Sequence, residues 1–137
     1  MKVVKFGGSS VADAGQFQKV KAIINQDPQR QIVVISAAGK YGDATRKLTD
    51  TLYLIADGFE AGRDVTPLFA QVAARLEAIN QALHLHVPLI KLMNTIRHHI
   101  ATHYSRDYLV SRGEFLTAQL MAAYLGYTFV DAADLLF

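Results

Sequence analysis

Two short apolar runs, Lys2–Phe6 (KVVKF) and Ile32–Ser36 (IVVIS), flank a stretch with the spacing of one amphipathic helix, in which Phe17, Val20 and Ile24 fall on one face. Strand, helix, strand in that order predicts a parallel pair, because parallel neighbours need a crossover long enough to bring the chain back to the same edge. The second run has no polar alternation, which predicts burial on both faces. Gly7–Gly8 ends the first strand. Ser9 or Ser10 is then placed to cap the helix, with Asp13 three residues after Ser10.

After a polar loop holding Gly39 and Gly42, the pattern turns helical. LTDTLYLIA resumes a 3.6-residue period. Thr66–Leu83 has a cap in Thr66, Pro67 at its first position and a stripe of Leu68, Val72, Leu76, Ile79 and Leu83. Pro88 opens another helix, with Leu89, Leu92, Ile96 and Ile100 on one side. Asp107–Leu125 reads as a further helix interrupted by Gly113 and ended by Gly126. YTFVD then reads as a third strand. The expected class is α/β: a mostly parallel sheet with helices on both faces, plus a helical lobe.

At 137 residues the chain predicts one domain, and with 51% hydrophobic residues it can bury a core. A net charge of +2 without a basic run gives no footprint for nucleic acid. With no cysteine, disulfides and thiolate metal sites are excluded. No apolar run approaches the roughly 20 residues of a membrane span, and MKVVKFGG lacks the apolar centre of a signal peptide. A cytoplasmic location is expected, and homo-oligomer formation is compatible with the sequence. The chain stops at Phe137 just past the third predicted strand, which would leave an open sheet edge, so residues 1–137 are expected to be a single N-terminal portion of a longer protein.

The opening KFGGSS carries the chemistry. In open α/β sheets ligands bind beyond the carboxyl ends of the strands. Glycine lets a phosphate approach the backbone, N–H groups at a helix start favour an anion, and Lys5 adds a full charge. A plain turn with Lys5 in solvent is the alternative. A Walker loop ending at Gly39–Lys40 would need glycine at position 34 and Ser or Thr at 41, where the chain has Val34 and Tyr41. The G-x-G-x-x-G dinucleotide fingerprint is also missing.

VKFGGSSVAD resembles the opening of the aspartokinases, within the amino-acid kinase family. IVVISAAGK with DATRKLTDTL, YLVSRGEFLTAQLMAAYLG around Ser-x-Gly-Glu, and FVDAADL continue the resemblance in order across nearly the whole chain. It implies an amino-acid kinase-like fold and transfer of the ATP γ-phosphate to the side-chain carboxylate of L-aspartate, the first step toward lysine, threonine and methionine. ATP would arrive with Mg2+, and no metal ligand is identifiable here. By the same resemblance, Lys5, Phe6, Gly7, Gly8 and Ser9 form the ATP-phosphate segment, with Lys5 neutralising the phosphoryl group in flight. Thr49 and Glu114 contact aspartate, and Ser36 lines the pocket. The family's other nucleotide segments, its Arg-Gly-Gly substrate segment and its regulatory domains would lie past Phe137, so this portion alone is expected to be inactive.

Each residue also has a simpler reading. Glu114 reads as an exposed helix glutamate, Thr49 as a cap, and Lys40 and Arg46 as solvated. His99 and His103 share a helix face without the glutamate of an H-E-x-x-H zinc site. A non-catalytic phosphate or nucleotide-binding module, or an amino-acid kinase with another carboxylate acceptor such as acetylglutamate, remain the competing readings.

Overall fold

β1 (Lys2–Phe6) and β2 (Arg30–Ile35) form a parallel pair, with Lys5 opposite Val34 and Phe6 opposite Ile35. The computed structural model describes residues 1–40, 46–131 and 134. Between the strands run a 3₁₀ turn, Gly8–Val11, and helix α1 (Ala14–Asn25). α2 (Leu48–Glu60), α3 (Thr66–Ala82), α4 (Leu89–Thr102) and α5 (Arg106–Leu125) follow as a helical lobe. The α/β class and the parallel pairing are as expected. Gly42, Ala132, Ala133 and Leu135–Phe137, on which parts of the sequence reading fell, lie outside the described residues.

The strands alternate between two unlike faces. Val4, Phe6, Val33 and Ile35 pack on the helical core, whereas Val3 is 63% exposed and Ile32 and Val34 are each 44% exposed. Burial of β2 on both faces is therefore not seen among the described residues. α1 meets the C-terminal end of α5, with the rings of Phe17 and Tyr124 6.4 Å apart and Lys21 Nζ 4.5 Å from the Tyr124 ring centre. No second helical layer covers the other face among the described residues.

Three local expectations change. α1 is capped by Asp13, whose carboxylate accepts from Gln16 N at 2.8 Å, because the 3₁₀ turn occupies the position of the expected serine caps. Thr66 is the first residue of α3 rather than its cap, and the Asp64 carboxylate receives its N–H at 3.0 Å. YTFVD forms no strand. It has no ladder partner among the described residues, and it is anchored by side chains instead: Tyr127 donates to the Arg30 carbonyl at 3.1 Å and Phe129 meets Phe115 edge-on at 5.4 Å. Aromatic and β-branched residues raise strand propensity, but a strand forms only when the chain path brings the segment alongside a sheet edge.

α5 is the axis of the lobe and packs against α2, α3, α4 and β2. Leu109, Leu116, Leu120 and Met121 are fully buried along it, each worth about 2 kcal/mol of burial. Gly113 does not break this helix. It is buried where an added Cβ would lie 2.9 Å from Leu52 Cδ1 and 3.1 Å from the Ala37 Cβ. Gly126, at φ +72°, ends α5 in the left-handed conformation that glycine adopts without penalty.

Candidate functional site

The ends of β1 and β2 stay joined beyond the strands. Ser36 N donates to the Phe6 carbonyl at 3.2 Å and Gly39 N to the Gly8 carbonyl at 2.8 Å. Here the backbones touch. A Cβ on Gly39 would sit 2.7 Å from Gly8 C and 2.8 Å from Ser9 N, and one on Gly8 would sit 2.9 Å from the Ala37 oxygen. Neither glycine has a positive φ, so close approach, not backbone freedom, demands glycine at both positions. Gly7 differs, with extended backbone and open space where a side chain would stand.

Ala38 links this junction to the helices. Its N–H donates to Thr117 Oγ1 at 3.3 Å, while its carbonyl accepts from Leu48 N at 3.0 Å, at the first residue of α2. Thr117, fully buried, also donates to the Gly113 carbonyl at 2.8 Å. Residues 38–39 thus bind the glycine turn, the start of α2 and the middle of α5 at one place. Neither Thr117 nor the Gly8–Gly39 contact stands out in the sequence, because neither residue type is unusual for its position.

Thr49 and Glu114 are brought together. Thr49, the second residue of α2, and Glu114, next to Gly113 on α5, line one open pocket of about 520 Å³ with Tyr53, Arg106, Asp107 and Ser111. The tight packing of Gly113 on Leu52 sets how near α5 approaches α2, so Gly113 places the neighbouring Glu114. Arg106 is held by Asp57 Oδ1 at 2.8 Å and Glu60 Oε2 at 2.9 Å, above the Tyr53 ring. Those two hydrogen bonds keep Arg106 firmly protonated. Glu60 also accepts from the Tyr104 hydroxyl, and that bond together with Arg106 holds its carboxyl below the ordinary range. With the Arg106 charge engaged by two carboxylates, the pocket offers the Thr49 hydroxyl and the Glu114 carboxylate as groups to meet a ligand. A carboxylate accepts from an ammonium group, so the pair suits an amino acid.

Lys5 is not among the residues lining that pocket. It lies on the exposed face of β1 beside Val3 and opposite Val34. Ser36 is half-buried at the strand end and Ser9 is exposed in the 3₁₀ turn. A depression of about 490 Å³ on α4, at Ile90, Lys91, Asn94 and His98, touches none of the expected site residues, whereas two helices converge on the pocket between α2 and α5. His99 packs on the Tyr108 ring, with centres 4.0 Å apart. Among the described residues no group of three or more His, Asp or Glu side chains could hold a metal.

A parallel βαβ unit with a glycine junction at its strand ends and a polar pocket between two helices makes this an α/β domain with an open site beside the strand ends. The chain belongs to the amino acid kinase family, whose sequence model matches residues 1–137. It is 38% identical over 141 residues to aspartokinase 3 of Bacillus subtilis, covering 96% of this chain and 30% of that protein. The fold superimposes on the crystal structure of the aspartate kinase of Clostridium acetobutylicum with a TM-score of 0.89 and 37% identity, over 96% of this chain and 30% of that one. Aspartokinase III of Escherichia coli, in complex with aspartate and ADP, matches with a TM-score of 0.70 and 27% identity over 90% of this chain and 28% of that one. The chain therefore spans about 30% of the length of these relatives.

Proposed function

We propose that the protein carrying this chain is an aspartate kinase, in which residues 1–137 form the N-terminal portion of the catalytic domain. One observation carries the reading: Thr49 and Glu114 converge on a pocket whose walls are fastened, through Ala38 and Gly39, to the glycine turn after β1. Phosphoryl transfer asks chiefly for positioning and for positive charge on the phosphoryl oxygens. Phe6, Gly7, Gly8 and Ser9 approach the ATP phosphates, which arrive as the Mg2+ complex, and Lys5 supplies charge to the transferring group. Glu114 takes the aspartate ammonium, Thr49 hydrogen-bonds the substrate, and Ser36 borders the pocket. A side-chain carboxylate oxygen of aspartate attacks the γ-phosphorus. A new O–P bond forms as the bond to the β-phosphate oxygen breaks, giving an acyl phosphate and ADP. The carboxylate is already ionised near neutral pH, so no general base is required. The reaction would open the route to lysine, threonine and methionine, in the cytoplasm.

The test is acyl-phosphate formation by the full-length protein, trapped with hydroxylamine. Hydroxamate that depends on both ATP and aspartate supports the reading. Equal or faster reaction with acetylglutamate, or none with aspartate, overturns it. The 137 residues alone are expected to give none, since the chain covers only 30% of the Bacillus relative.

A further inference from the structure

Arg75 lies on α3, an element that supplies none of the proposed site residues, yet its guanidinium reaches into the glycine junction. Nη2 donates to the carbonyls of Gly39 and, at 3.4 Å, Ala12, and Nη1 donates to the Arg46 carbonyl at 3.2 Å. These carbonyls belong to three separate segments. Ala12 follows the 3₁₀ turn after β1, Gly39 follows β2, and Arg46 precedes α2 and Thr49. A surface arginine normally faces water or a carboxylate. Arg75 is half-buried, its Nε has no hydrogen-bond partner among the described residues, and burial pushes its basicity down while Asp13 opposes that. A partly desolvated guanidinium on neutral carbonyls carries a cost, and the three hydrogen bonds fix the direction of those carbonyls.

The direction does have a consequence. In a trans peptide the C=O and the following N–H point opposite ways. Turning the Gly39 carbonyl toward Arg75 turns the Lys40 N–H away from it, and the Ala12 bond does the same for the Asp13 N–H. The Gly39 N–H is meanwhile committed to Gly8 at 2.8 Å. Both ends of residue 39 are therefore fixed, one by the glycine turn and one by α3.

We propose that Arg75 is a positioning residue for nucleotide binding: its guanidinium gathers the carbonyls of Ala12, Gly39 and Arg46 and so holds the glycine turn and the segment after β2 in register for the ATP phosphates. This rests on the aspartate kinase reading, and its test separates the two. Arg75→Met and Arg75→Lys are made in the full-length protein. Amide hydrogen exchange at Gly39 and Leu48 is compared with exchange at Ile96 and Ile100 of α4, and Michaelis constants are measured for ATP and aspartate. In Arg75→Met, exchange at Gly39 and Leu48 rises about tenfold with α4 unchanged, and the ATP constant rises about tenfold while that for aspartate moves less than about twofold. Arg75→Lys, which keeps the charge but cannot span three carbonyls, falls between. Unchanged exchange at Gly39, an equal rise throughout α4, or selective exchange with an unaltered ATP constant overturns the proposal. If the wild-type protein turns over no aspartate, the kinase reading fails, and the ATP constant is replaced by the dissociation constant of ADP, where the same selective tenfold weakening is required.

Discussion

Where Gly8 meets Gly39 the chain touches itself through backbone atoms, with no room for even a methyl group. Where α2 meets α5 the contact is made by side chains, and Thr49, Glu114 and the Arg106–Asp57–Glu60 cluster stand at an open edge. The first region leaves no space for a side chain at Gly8 or Gly39, so its shape is set by backbone alone. The second presents solvent-facing polar side chains, and under the proposed aspartate kinase reading the choice of substrate is assigned to it. Ala38 and Thr117 join them, by the hydrogen bonds of the Ala38 N–H to Thr117 and of Leu48 N to the Ala38 carbonyl.

The largest effect that would sharpen this contrast comes from Gly39→Ala. Its Cβ meets backbone atoms of Gly8 and Ser9 at 2.7–2.8 Å, which cannot rotate aside. A loss of about 3 kcal/mol is expected, read as a lower urea midpoint. Gly7→Ala should leave the midpoint level or slightly raised, since nothing lies within 4 Å and its φ is −76°. It should nonetheless weaken ADP binding if phosphate approaches there. Equal urea midpoints for the two variants would break the backbone half of the comparison. For Gly8 itself, the contact with the Ala37 oxygen at 2.9 Å means that Gly8→Val should disturb folding as well as nucleotide binding.

A smaller loss should follow Thr117→Val, which keeps the shape but removes the acceptor for the buried Ala38 N–H. About 1–3 kcal/mol is expected by urea denaturation. The aspartate and ATP constants should rise together, because the hub serves both sides. A change confined to one substrate would show that residues 38–39 do not couple the two regions.

The smallest effect lies at the rim. Burial and the Glu60 carboxylate raise the Tyr104 phenol to about 12 from an ordinary 10. A raised value in the folded state means that its contribution is intact below about pH 10 and fades as pH rises toward about 12. The melting temperature should therefore fall across that window less steeply in Tyr104→Phe than in the wild type. Parallel profiles would show that the Tyr104–Glu60 bond adds nothing to stability.

The two regions are unequally legible in the sequence. The β1–α1–β2 unit, α3, α4 and the Gly126 stop follow from periodicity, Pro67, Pro88 and the glycine itself. Thr49 and Glu114 stand out only through motif resemblance, and periodicity alone gives no reason to bring them to one pocket. The depth of β2 is not legible, because a β-branched run records the propensity for a strand and not what covers it, and Ile32 and Val34 are exposed. YTFVD misleads for a related reason, since pairing depends on a neighbour that local sequence does not specify. Arg75 and Thr117 are invisible because their partners are backbone carbonyls and amides far along the chain.

The central claim, that a phosphate side and an amino-acid side meet in one kinase, is tested most directly by steady-state kinetics of Lys5→Met and Glu114→Gln in the full-length protein, varying ATP and aspartate in turn. Lys5→Met keeps the length of the side chain and removes its charge. Its loss should appear mainly in turnover, by roughly 3–4 kcal/mol, since a contact stronger in the transition state governs rate. Glu114→Gln should raise the aspartate constant and leave that for ATP nearly unchanged. Normal turnover with Lys5→Met would return Lys5 to a solvent-facing strand lysine. An unaltered aspartate constant in Glu114→Gln would contradict the assignment of the α2–α5 pocket to the amino acid.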